Sequence, residues 1–184
     1  MIKRLIGLSG YAQAGKDSVG NVLQKNHEFA QRSFAQPMRD ALKKLDPYVD
    51  DKGMRLNDAL LREGGWEWAK KNTDTRHLLQ VLGTDVGREM FGENFWVEQA
   101  FKEIQSLRYV VFTDVRFPNE AESIKSAGGT VWRVTRPGVE AANAHISEHS
   151  LDNWSFDHII NNNSTLEDLA NQVDYTVARI VRGL

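Results

Sequence analysis

The sequence predicts an α/β fold, a central, mostly parallel five-stranded sheet with helices on both faces. Three observations carry that prediction. Short apolar runs bounded by Gly, Pro and Asn alternate with longer helix-like segments, which is how a parallel sheet is wound. A Gly-rich turn joins the first of these runs to the first helix. The 184 residues show no repeat, low-complexity tract or linker-like stretch, so a single domain over 1–184 is expected.

Leu5–Leu8 is the first strand and runs into the turn Ser9–Gly15. Lys16 to about Asn26 reads as a helix, with Val19, Val22 and Leu23 on one stripe. Arg32–Ala35 is a weaker strand, stopped by Pro37, which suits the first turn of a helix over Met38–Leu45. Asp46–Thr73 is the least patterned stretch and reads as a mobile, partly helical excursion over 46–75 that carries GGWEW. Thr75–Phe91 and Phe95–Leu107 read as two helices parted by Gly92, with Leu78, Leu79 and Leu82 in the core and Trp96 packed at a pocket edge.

Tyr109–Thr113 is the clearest buried strand; Asn119–Ala127 is a helix ended by Gly128-Gly129, and Thr130–Val134 is the next strand. Arg136–Asn153 is polar and His-rich, with Pro137-Gly138 at its start, and reads as a lid over 136–155. Phe156–Ile160 is the last strand. Thr165–Arg182 closes the fold as a scaffold helix capped by Ser164 or Thr165.

Composition narrows the chemistry. Zero cysteine excludes disulfides, thiolate metal sites and cysteine nucleophiles. A net charge of −2 gives no bulk reason to bind nucleic acid or an anionic membrane. Any anion site must then be a local cluster of basic groups. The opening MIKRLIGLSG is too short in apolar residues for a signal peptide, and no run approaches the ~20 that a membrane helix needs. A soluble cytoplasmic protein is the expectation.

Gly10-Tyr11-Ala12-Gln13-Ala14-Gly15-Lys16-Asp17-Ser18 lies between a strand and a helix, the context of a phosphate-binding P-loop. The small residues Gly10, Ala12, Ala14 and Gly15 let backbone N–H groups turn toward phosphate oxygens, and the helix N-terminus adds about half a positive charge. Lys16 would reach the β- and γ-phosphates of ATP as a point charge. In the usual motif a Ser or Thr that binds Mg²⁺ directly follows the Lys. Here Asp17 intervenes before Ser18, and either is a candidate metal ligand.

Asp114-Val115-Arg116-Phe117-Pro118-Asn119-Glu120 follows the strand YVVFT. Ligands of open parallel sheets bind beyond the strands' carboxyl ends. Asp114 is therefore a candidate for the magnesium hydration shell and Arg116 for a bidentate phosphate contact. Arg133 and Arg136 flank the end of the next strand. Alternation turns one of them away, and Arg136, beside the Pro-Gly hinge, is the favoured catalytic clamp. His145, Ser147 and Glu148 are candidates to order the lid, beside the alternative of a solvated loop.

These blocks together resemble the phage deoxynucleoside monophosphate kinases of the P-loop nucleoside monophosphate kinase superfamily. The resemblance runs in order through SGYAQAGKDS (9–18), AQPMRDAL (35–42), RHLLQVLGTD (76–85), FWV (95–97), TDVRFPNEAE (113–122), VWRVTRPG (131–138), HISE (145–148) and IINNNSTLEDL (159–169). Gly-Lys-Asp-Ser is itself typical of that branch. The resemblance implies a three-layer P-loop kinase fold, a lid, and transfer of the γ-phosphoryl group of ATP to a deoxynucleoside monophosphate with Mg²⁺ as cofactor. It places the acceptor among Arg39, Arg76, Gln80, Gly83, Thr84 and Arg88, with Arg116, and the adenine of ATP near Asn162 and Asn163. It implies small-molecule partners, no nucleic acid or membrane, and a homodimer. The chain departs from the pattern in 46–73, which is shorter and whose GGWEW has no clear counterpart, so it does not rank the bases.

Two other readings stand beside this one. A P-loop kinase for another small phosphorylated metabolite shares the Gly-Lys-Asp feature, as animal phosphomevalonate kinases do. A nucleotide-gated ATP-binding protein without a small acceptor would lack an acceptor-dependent rate, and the arginines at 76, 116 and 136 argue against it.

Overall fold

A computed structural model describes residues 3–140 and 149–182. The expected lid residues His145, Ser147 and Glu148 lie outside the described residues. In chain order the elements are β1 (Arg4–Ser9), α1 (Lys16–His27), β2 (Ala30–Arg32), α2 (Gln36–Leu45), α3 (Leu56–Leu60), α4 (Trp66–Asn72) and α5 (Thr75–Gln80). A π-helical run (Val81–Arg88) leads into α6 (Glu89–Phe91) and α7 (Phe95–Glu103). Then come β3 (Tyr109–Phe112), α8 (Pro118–Ser126), β4 (Thr130–Thr135), β5 (His158–Asn161) and α9 (Leu166–Arg182).

The strands form one five-stranded sheet in the order β2-β3-β1-β4-β5. Every pairing is parallel, with Gly7 opposite Phe112 on one side and Ser9 opposite Arg133 on the other. The chain divides into two compact units, one of Met1–Phe34 with Phe101–Leu184 and the other of Ala35–Ala100.

The first unit holds the sheet. Leu8, Trp132, Val134 and Ile160 are buried against Val19 and Leu23 of α1 and Leu169, Val173 and Val177 of α9. Spacings of four along both helices put those residues on one stripe. Burial of large side chains such as Trp132 and Leu8 at 0% exposure stabilises by roughly 1.5–3 kcal/mol each. α8 packs on β1 and β4.

The second strand is Ala30–Arg32, not Arg32–Ala35. The reason lies in the residues that follow. Phe34 is buried and stacks on Phe112 at 4.2 Å, while its N–H donates to Asp114 Oδ1 at 2.8 Å. Ser33 Oγ donates to the other oxygen of Asp114 at 2.5 Å, so a side chain replaces the ladder there. The last strand is His158–Asn161, not Phe156–Ile160: pairing starts with His158 opposite Trp132, and Asp157 before it bonds Val131 both ways, its N–H to the carbonyl at 2.9 Å and its carboxylate to the N–H at 2.7 Å.

In the second unit the stretch from Asp46 is pinned by its own carboxylates. Asp50 Oδ1 accepts the N–H groups of Lys52 and Met54, and Asp46 Oδ1 accepts that of Asn57. Leu42, Val49, Leu56, Ala59 and Ala69 form its core, against which Leu78, Leu79 and Leu82 pack half-buried. The helix from Thr75 to Phe91 is present, but its middle is wound as the wider π form, which sequence periodicity did not indicate. Trp96 lies on this run: its indole N–H donates to the Gly83 carbonyl at 3.0 Å. Gly87 is buried beneath the same ring, where a methyl group would overlap the indole nitrogen. Gly87→Ala is expected to lower stability by about 1–3 kcal/mol, as overpacking does. Chemical denaturation checks this, and an unchanged midpoint would contradict the close approach.

Candidate active site

β1 ends at Ser9, and the chain turns through Gly10–Gly15 before α1 begins at Lys16. Ala14 N–H donates to Tyr11 O at 3.2 Å, which closes the turn. Gln13 and Gly15 have φ of 67° and 105°, in the left-handed region. Alternating handedness of this kind gathers successive N–H groups into an anion-binding nest. Gly15 also has no room for a side chain, because a Cβ would overlap the amide nitrogen of Asn162.

Lys16 Nζ donates to Gly10 O at 2.7 Å and to Tyr11 O at 2.9 Å, so the ammonium is held over its own loop. A cavity of about 520 Å³ opens here, lined by Gly15, Lys16, Asp17, Ser18, Arg136 and Asn162 among others. Six sequence candidates, from three separate segments, thus share one cavity. Gly10, Ala12 and Ala14 shape the loop behind it.

Asn162 has a use that the sequence did not reveal. Its side-chain N–H donates to Ala14 O at 3.0 Å, and its backbone N–H donates to Thr135 O at 2.7 Å. The residue braces the loop from the end of β5. Of the two arginines near β4, exposed Arg136 lines the cavity, whereas Arg133 turns to Tyr11 and Asp152.

Asp114 and Arg116 follow β3. Both Asp114 oxygens accept hydrogen bonds, from Ser33 and Phe34. Arg116 is exposed, and its backbone N–H donates to Glu120 Oε2 at 2.7 Å. The same oxygen accepts from Phe117 N at 3.1 Å, and Glu120 is only 6% exposed. Glu120 is therefore a buried carboxylate that fixes the turn carrying Arg116 and starts α8. The sequence does not single out Glu120, because the residue three before it is Phe117 and not a polar cap.

The residues implied for the acceptor belong, apart from Arg116, to the second unit. Arg39 lies 5.8 Å from the Trp66 ring centroid. Glu67 is ion-paired with Lys70, whose hydrogen bond holds the Glu67 carboxyl below its ordinary value, and the charges of Arg39 and Arg76 add to that effect. GGWEW thus brings an aromatic ring and a carboxylate to the arginines. Arg76 and Gln80 are exposed and four apart on α5, hence on one face. Gly83 and Thr84 lie in the π run, Gly83 close to Met38, and Arg88 is half-buried at its end.

The cavity suits a magnesium–nucleotide complex. Asp17 and Ser18 bring hard oxygen atoms beside Lys16, and Mg²⁺ in such sites keeps waters and phosphate oxygens for most of its shell. Among the described residues no cluster of three or more His, Asp or Glu could hold a metal by itself. No helix among them is long and apolar enough to cross a membrane.

A strand–loop–helix phosphate nest on a parallel sheet of this order defines a P-loop kinase fold. Dephospho-CoA kinase from Campylobacter jejuni shares it, with a TM-score of 0.54 at 13% identity over 98% of each chain. The sequence model of the deoxynucleotide monophosphate kinase family matches residues 66–173. A protein of Acanthamoeba polyphaga mimivirus is 30% identical, the match covering 92% of this chain and 93% of that one. The deoxynucleotide monophosphate kinase of Escherichia phage RB69 is 26% identical over 92% of this chain and 98% of its own. The chain belongs to the deoxynucleotide monophosphate kinase family, and it is an ATP-dependent phosphotransferase.

Removing the buried brace tests how Arg116 is held. Glu120→Ala removes the carboxylate oxygen that accepts from the Arg116 and Phe117 N–H groups and is expected to lose about 1–3 kcal/mol of stability. It should also lower turnover more than Glu120→Gln, which keeps an acceptor. Denaturation and steady-state rates on both variants check the expectation.

Proposed function

We propose that the protein transfers the γ-phosphoryl group of ATP to a deoxynucleoside monophosphate, giving the deoxynucleoside diphosphate and ADP. Family membership supports the acceptor class. The observation that carries the chemistry is the convergence of Lys16, Asp17, Ser18 and Arg136 on one cavity at the N-terminus of α1.

The γ-phosphorus breaks its bond to the β–γ bridging oxygen and forms one to a phosphate oxygen of the acceptor. That oxygen is largely ionised near neutral pH, since the second pKa of a phosphate monoester is about 6. No general base is needed. Catalysis reduces to positioning and to stabilising charge spread over the transferring group. The loop N–H groups and Lys16 hold the β- and γ-phosphates, and Arg136 and Arg116 meet the charge that develops on transfer. Mg²⁺, held by Asp17 or Ser18 with Asp114 toward its water shell, would supply charge neutralisation on the ATP phosphates. Arg39, Arg76 and Arg88 bind the acceptor phosphate, while Gln80, Gly83 and Thr84 lie toward its base. Asn162, with Asn163, borders the adenine of ATP. Residues 136–155 act as the lid.

The protein works on small molecules in the cytoplasm, the host's if a phage encodes it, and its assembly as a homodimer rests on the resemblance alone. Coupled ADP release across ribo- and deoxynucleoside monophosphates tests the reading. Acceptor-dependent ADP with a deoxynucleoside monophosphate is expected, and Lys16→Ala should lower kcat by roughly 10²–10³ with an unchanged melting curve. ADP release indifferent to every nucleotide would overturn it.

The two substrates should separate by mutation. A charge-assisted bond to phosphate contributes about 1.5–3 kcal/mol, so Arg76→Ala should weaken acceptor binding by about tenfold to a hundredfold and spare a non-hydrolysable ATP analogue. Calorimetric titration of each ligand is the measurement. Loss of the ATP analogue alone would reverse the assignment.

A further inference from the structure

The carboxylate of Asp152 gathers three side chains, and one of them comes from the phosphate loop. Tyr11 OH donates to Asp152 Oδ1 at 3.0 Å. Arg133 reaches the same oxygen at 3.2 Å, and His149 Nδ1 lies 2.8 Å from Oδ2. Arg133 also covers the Tyr11 ring, its guanidinium carbon 4.6 Å from the centroid, and meets the Phe156 ring at 5.5 Å and Ser9 Oγ at 3.4 Å. The His149 ring meets Tyr11 edge-on at 6.4 Å. Burial pushes the Asp152 carboxyl up, but the bonds from His149 and Tyr11 and the charge of Arg133 outweigh it and leave it below its ordinary value. It is thus held as the anion, which only accepts.

The backbone of Tyr11 serves the other partner. Its carbonyl accepts from both Lys16 Nζ and Ala14 N. The ring is held by its hydroxyl, by one face and by an edge, which leaves the residue little freedom to rotate. The carbonyl that orients the ammonium inherits that restriction. We propose that Tyr11 is a positioning residue for Lys16, its hydroxyl bond to Asp152 setting the loop carbonyl that aims the ammonium at the phosphates of ATP.

This rests on the reading that Lys16 meets those phosphates, and the experiment separates the two. Tyr11→Phe keeps the ring under Arg133 and removes only the hydroxyl, and Asp152 retains Arg133 and His149. A partly exposed bond to a carboxylate predicts a rise of about three- to tenfold in KM for ATP and in the Kd of a non-hydrolysable ATP analogue. Acceptor KM and the melting curve should not move. Asp152→Ala should act alike, and adding Tyr11→Phe to it should cost no more ATP affinity, since both remove one link, whereas Asp152→Asn keeps an acceptor for the hydroxyl and should do less. In a Lys16→Ala background Tyr11→Phe should have no further effect on ATP affinity; a packing defect would still show there. Equal ATP affinity in wild type and Tyr11→Phe overturns the coupling alone, as do additive losses or an effect that persists without Lys16. If Lys16→Ala itself leaves ATP affinity and turnover unchanged, the underlying reading falls and the coupling with it.

Discussion

β1 is hydrogen-bonded in parallel on both sides, to β3 and to β4, and the placement of the candidate site residues follows from that pairing. In a parallel sheet all carboxyl ends lie along one edge. The loop after β1 therefore emerges between the turn that carries Asp114 and the one that carries Arg136, residues about a hundred positions away in sequence. The ends are stitched together beyond the ladder. Val115 N–H donates to Leu8 O, and Asn162 ties Thr135 to Ala14. A preorganised site needs such stitching, because groups held in place do not have to reorganise as charge moves.

The parts legible in the sequence were those written in local chemistry. The P-loop announces itself through glycine spacing and Lys16, and the apolar run Tyr109–Phe112 could only be a buried strand. What stayed hidden depended on partners distant along the chain. The sequence points to a second strand over Arg32–Ala35, two residues late, and only the fold reveals that Phe34 stacks on Phe112 instead of joining the ladder. The resemblance sets Asn162 near the adenine of ATP, and nothing local in the sequence shows that its amide nitrogen also serves Ala14. Alternation left one of Arg133 and Arg136 turned away from the phosphates; the structure puts Arg136 on the cavity and Arg133 on Asp152.

Under the proposed function, the basic groups also account for how a chain of net charge −2 would handle anions. Its cations are not simply bare. Lys16 rests on two carbonyls, Arg133 on Asp152, and Arg39 and Arg76 share the field of Glu67. An incoming phosphate must compete with these internal acceptors. A stray monoanion gains little from that exchange, whereas a polyphosphate that meets loop amides and ammonium together gains more. Under the proposed function, selectivity for highly charged ligands would need no large positive surface.

The wide winding over Val81–Arg88 has a geometric consequence of its own. Each π turn holds more residues than an α turn, so the angular phase of the helix is reset between Gln80 and Glu89. Wheel arithmetic carried from Arg76 to Arg88 across this run gives the wrong direction. A helix that absorbs one additional residue without shifting its ends takes just this form, so the run is where the segment can change length by one position while both flanks, and the indole seated on Gly87, keep their places.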